Sequence, residues 1–156
     1  MNKHIMIGST ECFGIELDVT SVAPAGVWAD VILWIGGKSL GRKDDAFALY
    51  PLLGTMDGLL VSASDDALTS EMLCLPANAA WELFETVGRE EYSVNTSYLF
   101  DRYDVCCASN DLEARFLWKD RYVDPDVLHD VRVHRSEIVR SVKELHSVYG
   151  GLSGSR

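Results

Sequence analysis

Gly26-Val27-Trp28-Ala29-Asp30-Val31-Ile32-Leu33-Trp34-Ile35-Gly36-Gly37-Lys38-Ser39-Leu40-Gly41 is the stretch on which the fold turns. Residues 27–35 are almost continuously apolar, the pattern of a strand buried on both faces. Gly36-Gly37 suits a two-residue hairpin turn, because a type I′ turn needs positive φ at both central positions. Residues 38–41 then read as a short polar return strand. Toward the N-terminus, Phe13, Ile15, Leu17 and Val19 alternate with Gly14, Glu16 and Asp18, which marks a strand with one buried face. Residues 21–26, with Pro24 and Gly26, separate the two runs. Residues 4–7 add a short apolar strand, so the first third is predicted to be β.

Toward the C-terminus the pattern changes. Asp44-Asp45 is placed to cap a helix at Ala46, where carboxylates meet free amides and the positive end of the dipole. Pro51, Gly54 and Gly58 keep this region from reading as one clean helix. A polar loop is expected over 62–70, and Met72-Leu73-Cys74-Leu75 reads as another short strand. Pro76 opens a helix running to Val87, with Ala77, Trp81, Phe84 and Val87 on one face and Gly88 as its stop. Residues 98–108 and 114–119 flank Ser109-Asn110-Asp111 as a hairpin, and 127–133 supplies a last strand. Ser136 is the expected cap of a C-terminal helix carrying Ile138, Val142, Leu145 and Tyr149 at helical spacing, with Gly150 ending it. The expectation is one α+β domain over residues 1–150. It has an antiparallel sheet, one or two middle helices, a C-terminal helix and a flexible tail at 151–156.

A chain of 156 residues that is 47% hydrophobic can bury a core of its own, which excludes disorder. No run of about 18 apolar residues occurs, so no membrane span is predicted. Residues 1–11 lack the make-up of a signal peptide, so a cytoplasmic location is expected. Cys12, Cys74, Cys106 and Cys107 include two sequence neighbours and no C-x-x-C pair, which suits small buried thiols in a reducing compartment.

Charge is the most informative bulk property. The net charge is −10. From Asp44 to Asp104 there are 12 acidic residues against Arg89 and Arg102, and the rest of the chain carries 12 of each sign, so the whole excess maps to one central segment. Such a field disfavours nucleic acid and anionic lipid and draws basic proteins, although acidic surfaces also serve solubility alone.

The chemistry-bearing residues form no strong catalytic pattern. Asp124, Asp126, His129, Asp130 and His134 are the densest ligand-type run, but a spacing of five between the histidines suits neither a helix face nor one side of a strand. They read as a polar loop leading into a strand, and no metal is expected. Cys106 or Cys107 with His129 or His134 is the one nucleophile–base combination, set in strand-like sequence with nothing to lower a thiol pKa. The pairs Asp44-Asp45, Asp65-Asp66 and Glu90-Glu91 point apart on any regular element, poor geometry for shared acid–base work. Neither a Walker A nor a dinucleotide-binding glycine pattern occurs. No enzyme and no cofactor are predicted.

The 26–41 segment resembles the immunity protein 42 family of bacterial polymorphic toxin systems. That family carries a tryptophan, a hydrophobic-Trp-hydrophobic core and a glycine-bearing turn, matched here by Trp28, Trp34, Gly37 and Gly41, with the strand from Phe13 to Val19 ahead of it. The resemblance covers roughly the first 60 residues. Trp28, Trp34, Gly37 and Gly41 are read as building the fold. The resemblance implies a protein that binds a cognate protein toxin and occludes it. A basic nuclease would be a fitting partner, since a protein that grips nucleic acid is basic and an acidic partner associates with it quickly. On the charge map, the toxin-facing surface is expected to use Asp65, Asp66, Glu71, Glu90, Glu91, Asp101 and Asp104. Two alternatives compete with this: an acidic binding or regulatory module without a toxin, able to self-associate, and a small cysteine hydrolase.

Overall fold

In the computed structural model, which describes residues 2–41, 46–94 and 102–154, the strands divide into two antiparallel sheets according to sequence. The first holds β1 (Lys3–Gly8), β2 (Phe13–Ala23), β3 (Gly26–Ile35) and β4 (Lys38–Gly41) in that order, with the two-residue β5 (Phe47–Ala48) on the far end of β3. Its meander follows the pattern read above. Gly36 and Gly37 both have positive φ, 57° and 81°, as a type I′ turn requires. A Cβ on Gly36 would come 2.4 Å from Cγ1 of Val131, so the turn is also a close contact between the sheets.

Two expectations change here. β2 continues to Ala23 through an irregularity between Val19 and Ser21, leaving only Pro24-Ala25 as the turn. And β3 is buried on one face only: Val27, Ala29, Val31, Leu33 and Ile35 point inward, while Trp28, Asp30, Ile32 and Trp34 point out. Large apolar side chains on the outer row hide the alternation in the sequence.

The second sheet orders β6 (Tyr103–Ser109), β7 (Glu113–Asp120) and β8 (Asp124–His134) as a meander. Both of its faces are covered. Val105, Cys107, Ala114, Phe116, Trp118 and Val133 join the inner face of the first sheet in the main core, where Phe13 stacks on Phe116 at 6.1 Å. Cys106, Ala108 and Leu117 point the other way, into a second core with Met72, Leu73, Trp81, Phe84 and Tyr92. The second sheet therefore lies between the main core and the helical segment over residues 67–92. The C-terminal helix and the first helix complete the main core through Ile138, Val142, Leu145, Leu52 and Met56.

Helix α1 (Tyr50–Val61) carries Pro51 in its first turn and runs on through Gly54 and Gly58. The helix predicted at Ala46 starts later, because Phe47 and Ala48 pair with β3; Asp44 and Asp45 lie outside the described residues. α2 (Ala67–Cys74) replaces the strand expected over 72–75, a short apolar run whose periodicity does not separate helix from strand. α3 (Ala77–Leu83), a π-helical turn (Phe84–Gly88) and α4 (Arg89–Tyr92) form one helical run, so Gly88 does not stop it. The wider turn rotates Val87 outward to 65% exposure, and Gly88 and Tyr92 take the inward positions. α5 (Arg135–Ser153) starts at His134 without a side-chain cap, with Ser136 inside its first turn, and it passes Gly150 by three residues.

Neither α1 nor α2 has a basic residue in its last turn. Arginines from the second sheet and the start of α5 meet their carbonyl ends instead. Arg115 donates Nη1 to the carbonyls of Met72 (2.9 Å) and Leu75 (2.6 Å) and holds Asp130 in a two-pronged pair, both bonds 2.9 Å. Arg132 donates to the Leu73 carbonyl, and Arg135 to those of Leu59 and Leu60. Cations at a helix C-terminus satisfy orphan carbonyls and oppose the dipole.

Candidate functional site

Cys106 and Cys107 sit mid-strand on opposite faces of β6 and are buried, whereas Cys12 and Cys74 are exposed, contrary to the expectation for all four. Burial pushes the Cys107 thiol up to about 12, and the Cys106 thiol further still. A thiol held protonated in this way is a poor nucleophile at neutral pH. His129, one of the two candidate bases, lies on the Trp118 ring at a centroid distance of 5.0 Å, with Lys38 Nζ 3.4 Å from its Nδ1. Burial and the Lys38 charge both lower its pKa. A cleft of about 530 Å³ runs between α1 and residues 91–94, lined by Gly54, Gly58, Leu59, Glu91 and Cys107 among others.

Asp124, Asp126, His129, Asp130 and His134 are spread along β8 itself and not along a loop. The Arg115 hydrogen bonds hold the Asp130 carboxyl below the ordinary range. Among the described residues, His4, Glu16 and Asp18 bring ligand-type atoms together. Hydrogen bonding accounts for that grouping: His4 Nδ1 is 2.7 Å from Asp18 Oδ1, and Trp34 Nε1 donates to Glu16 at 2.9 Å.

Of the seven acids predicted to face the partner, six lie in described residues, on or beside the helical layer; Asp101 lies outside them. Asp66 caps α2, accepting the Thr69 amide at 2.7 Å, and this hydrogen bond is the leading cause of its lowered pKa. Asp104 takes a two-pronged bond from Arg89 at 3.0 and 2.9 Å. Asp65, Glu71, Glu90 and Glu91 are exposed. Glu91 adjoins Tyr92, whose hydroxyl meets Thr69 Oγ1 at 2.7 Å, which holds α4 against α2.

The outer face of the first sheet is the second acidic surface, and charge counting along the chain did not single it out. Register places its rows as His4–Asp18–Asp30, then Met6–Glu16–Ile32 with Gly41, then Gly14–Trp34–Ser39. Trp28, paired with Ser21 and Ala48, lies beyond the Asp30 row and is 44% exposed. Met6, Trp28, Ile32 and Trp34 belong to neither hydrophobic core. Of the four family-motif residues, then, the two tryptophans stand on this outer face, Gly37 makes the turn, and Gly41 (φ 112°) ends β4. The main core and the second sheet separate this face from the helical acids, so the two acidic surfaces look out from opposite ends of the stack.

The model of the family described as Immunity protein 42 matches residues 5–148, far beyond the first 60. No curated protein matches the chain in sequence. The crystal structure of CdiI from Burkholderia dolosa has the same fold at a TM-score of 0.66, covering 92% of this chain and 99% of that one at 17% identity. No described helix is long and apolar enough to cross a membrane.

Proposed function

The chain belongs to the immunity protein 42 family, and from that premise we propose that it protects its producer by binding one cognate toxin and occluding it. The family match over nearly the whole chain is the observation that carries this reading. The CdiI fold is consistent with it. The site chemistry agrees: buried thiols of raised pKa and a histidine engaged by Trp118 and Lys38 suit a blocker better than a hydrolase. The net charge of −10 favours a basic partner, and a nuclease would meet that description. The acids proposed to receive it, by charge, are Asp65, Asp66, Glu71, Glu90, Glu91, Asp101 and Asp104.

The test is co-expression of the chain with the toxin encoded beside its gene, read as growth and as capture of the toxin on the tagged chain. Restored growth with a complex that weakens in salt is expected. A neighbour that is harmless and is not captured would leave the chain an acidic binding module of another kind.

A further inference from the structure

We infer that β1 is the edge through which two copies of this chain associate, strand against antiparallel strand, so that the first sheet runs on from one copy into the other. The inference goes beyond the immunity reading and does not depend on it.

The edges of the two sheets are protected unequally. Every second residue of an antiparallel edge strand turns its N–H and C=O away from its one neighbour, which leaves a row of unpaired backbone groups. On β6 that row is met from outside: the Ser64 amide donates to the Ser109 carbonyl and the Val94 amide to that of Val105, both at 2.9 Å. β8 begins with exposed Asp124, Pro125 and Asp126, and charges and proline keep an edge from pairing. β4 and β5 are short, with four and two residues. Apart from Lys3 at its start, β1 has none of these devices. Lys3-His4-Ile5-Met6-Ile7-Gly8 contains no acid and no proline and pairs with β2 alone. Among the described residues its backbone takes no hydrogen bond from outside the sheet.

The second half of α5 widens this strip. α5 packs against β1 and β2 and runs from the Gly8 end of β1 toward the Lys3 end. At the first end, a Cβ on Gly8 would meet Ser141 Oγ at 2.5 Å. At the other, Tyr149 lies 6.3 Å from Tyr50, three residues beyond the row Lys3–Val19–Ala29–Phe47. Ile5 of β1 and Val148 and Leu152 of α5 are only partly buried against the main core. A second copy paired on β1 lays its own α5 alongside and covers them.

Charge decides the occupant. Each copy carries −10, so two copies meet most readily where acids are scarce. β1 has none, and residues 147–154 have no charged side chain. A basic toxin would find Lys3 here and no carboxylate on the strand. Asp18 and Glu16 sit one strand in, with His4 Nδ1 at 2.7 and 3.9 Å from them. Across the junction they would stand three strand spacings from their counterparts, about 14 Å, beyond the screening length of about 8 Å at physiological salt. The one acid of α5 past Glu137 is the exposed Glu144, a turn on from Ser141. Antiparallel pairing brings the Lys3 end of one strand to the Gly8 end of the other, so the cation of each edge meets Glu144 of the other copy.

The experiment uses the full chain by itself. Sedimentation equilibrium is expected to show a monomer–dimer balance that moves toward dimer as salt rises, because salt screens the repulsion between two acidic bodies. The toxin complex, held by opposite charge, is expected to weaken in the same salt. Hydrogen exchange compared at low and high protein concentration is expected to slow in β1 and to stay constant in β8. Lys3→Glu is expected to weaken the dimer by about tenfold or more. Lys3→Glu/Glu144→Lys is expected to restore it, which damage to the fold would not do. A monomer at every concentration and salt would overturn the inference. So would a dimer whose β1 amides exchange as fast as the monomer's, or one that Lys3→Glu leaves unchanged. Toxin capture is measured separately, so failure here leaves the immunity reading standing, and a chain without a toxin leaves this inference standing.

Discussion

The first sheet and the helical segment from Tyr50 to Tyr92 are held together in opposite ways. In the sheet, β1 to β4 each pair with the neighbour in sequence, and the turns between them are short. In the helical segment, α1 contains two glycines, and α1 and α2 have no cation in their last turns. Their carbonyl ends are met by Arg115, Arg132 and Arg135, residues 40 to 76 positions further along the chain. One region is specified by its own pattern. The other borrows its helix ends from a distant part of the sequence.

Arg115 is where this contrast breaks most visibly. Its side chain is 3% exposed and it serves Asp130 and two helix-end carbonyls together. Removing one partner of a buried pair costs roughly 3–5 kcal/mol; because Asp130 is partly open to water, a loss of about 2–4 kcal/mol is expected for Arg115→Met in urea unfolding. Hydrogen exchange should show the protection lost across α2 to α4 and kept in β2 and β3. A loss spread evenly over both regions would refute the contrast.

Next comes the same substitution made in each region. Gly36→Ala meets a positive φ and Val131, and should cost about 1–3 kcal/mol. In α1, a Cβ at Gly54 or Gly58 meets nothing within 4 Å. Alanine there should instead stabilise by about 0.5–1 kcal/mol each. Between these in size, Arg135→Met should cost about 1–2 kcal/mol by releasing the end of α1. Thermal melting of the four variants orders them.

The smallest effect is a pH dependence. Hydrogen bonds from Arg115 lower the folded-state pKa of Asp130. Its contribution is therefore fully present above the ordinary carboxylate pKa and is lost as pH falls through the lowered folded value. Acid should weaken the parent more than Arg115→Met over that window, narrowing the gap between them. A constant gap would mean that the pair is not what acid breaks.

The same division explains which parts of the fold were legible in the sequence. The 13–19 alternation, the Gly36-Gly37 turn, the 109–111 hairpin and the buried positions of α5 each depend on residues within a few positions of one another, and all are present. Residues 72–75 were misread because four apolar residues fit either period, and their helix is fixed by Asp66 before them and by Arg115 from far away. Val87 was misread because nothing in the local sequence announces a π-helical turn.

The candidate site divides in the same way. Counting charges along the chain found the helical acids, but could not tell that Asp66 and Asp104 are engaged. It missed Glu16, Asp18 and Asp30, which balance against bases elsewhere in the chain and gather on one face only through strand register. Trp28 and Trp34 were visible as a motif. Their outward direction was hidden by the apolar run around them.

The long reach of the arginines sets an order of events during synthesis. When Cys74 leaves the ribosome, the guanidinium groups that will close α1 and α2 have yet to be made, and each arrives 40 to 76 residues after the carbonyl it will meet. At about 5–20 residues per second this is a wait of roughly 2 to 15 s, during which the first sheet can pair but the helices lack their partners. The stretch that waits, from Tyr50 to Tyr92, lies within the segment that holds the acidic excess of the chain. Like charge of this kind disfavours association of the segment with other copies before the last third arrives.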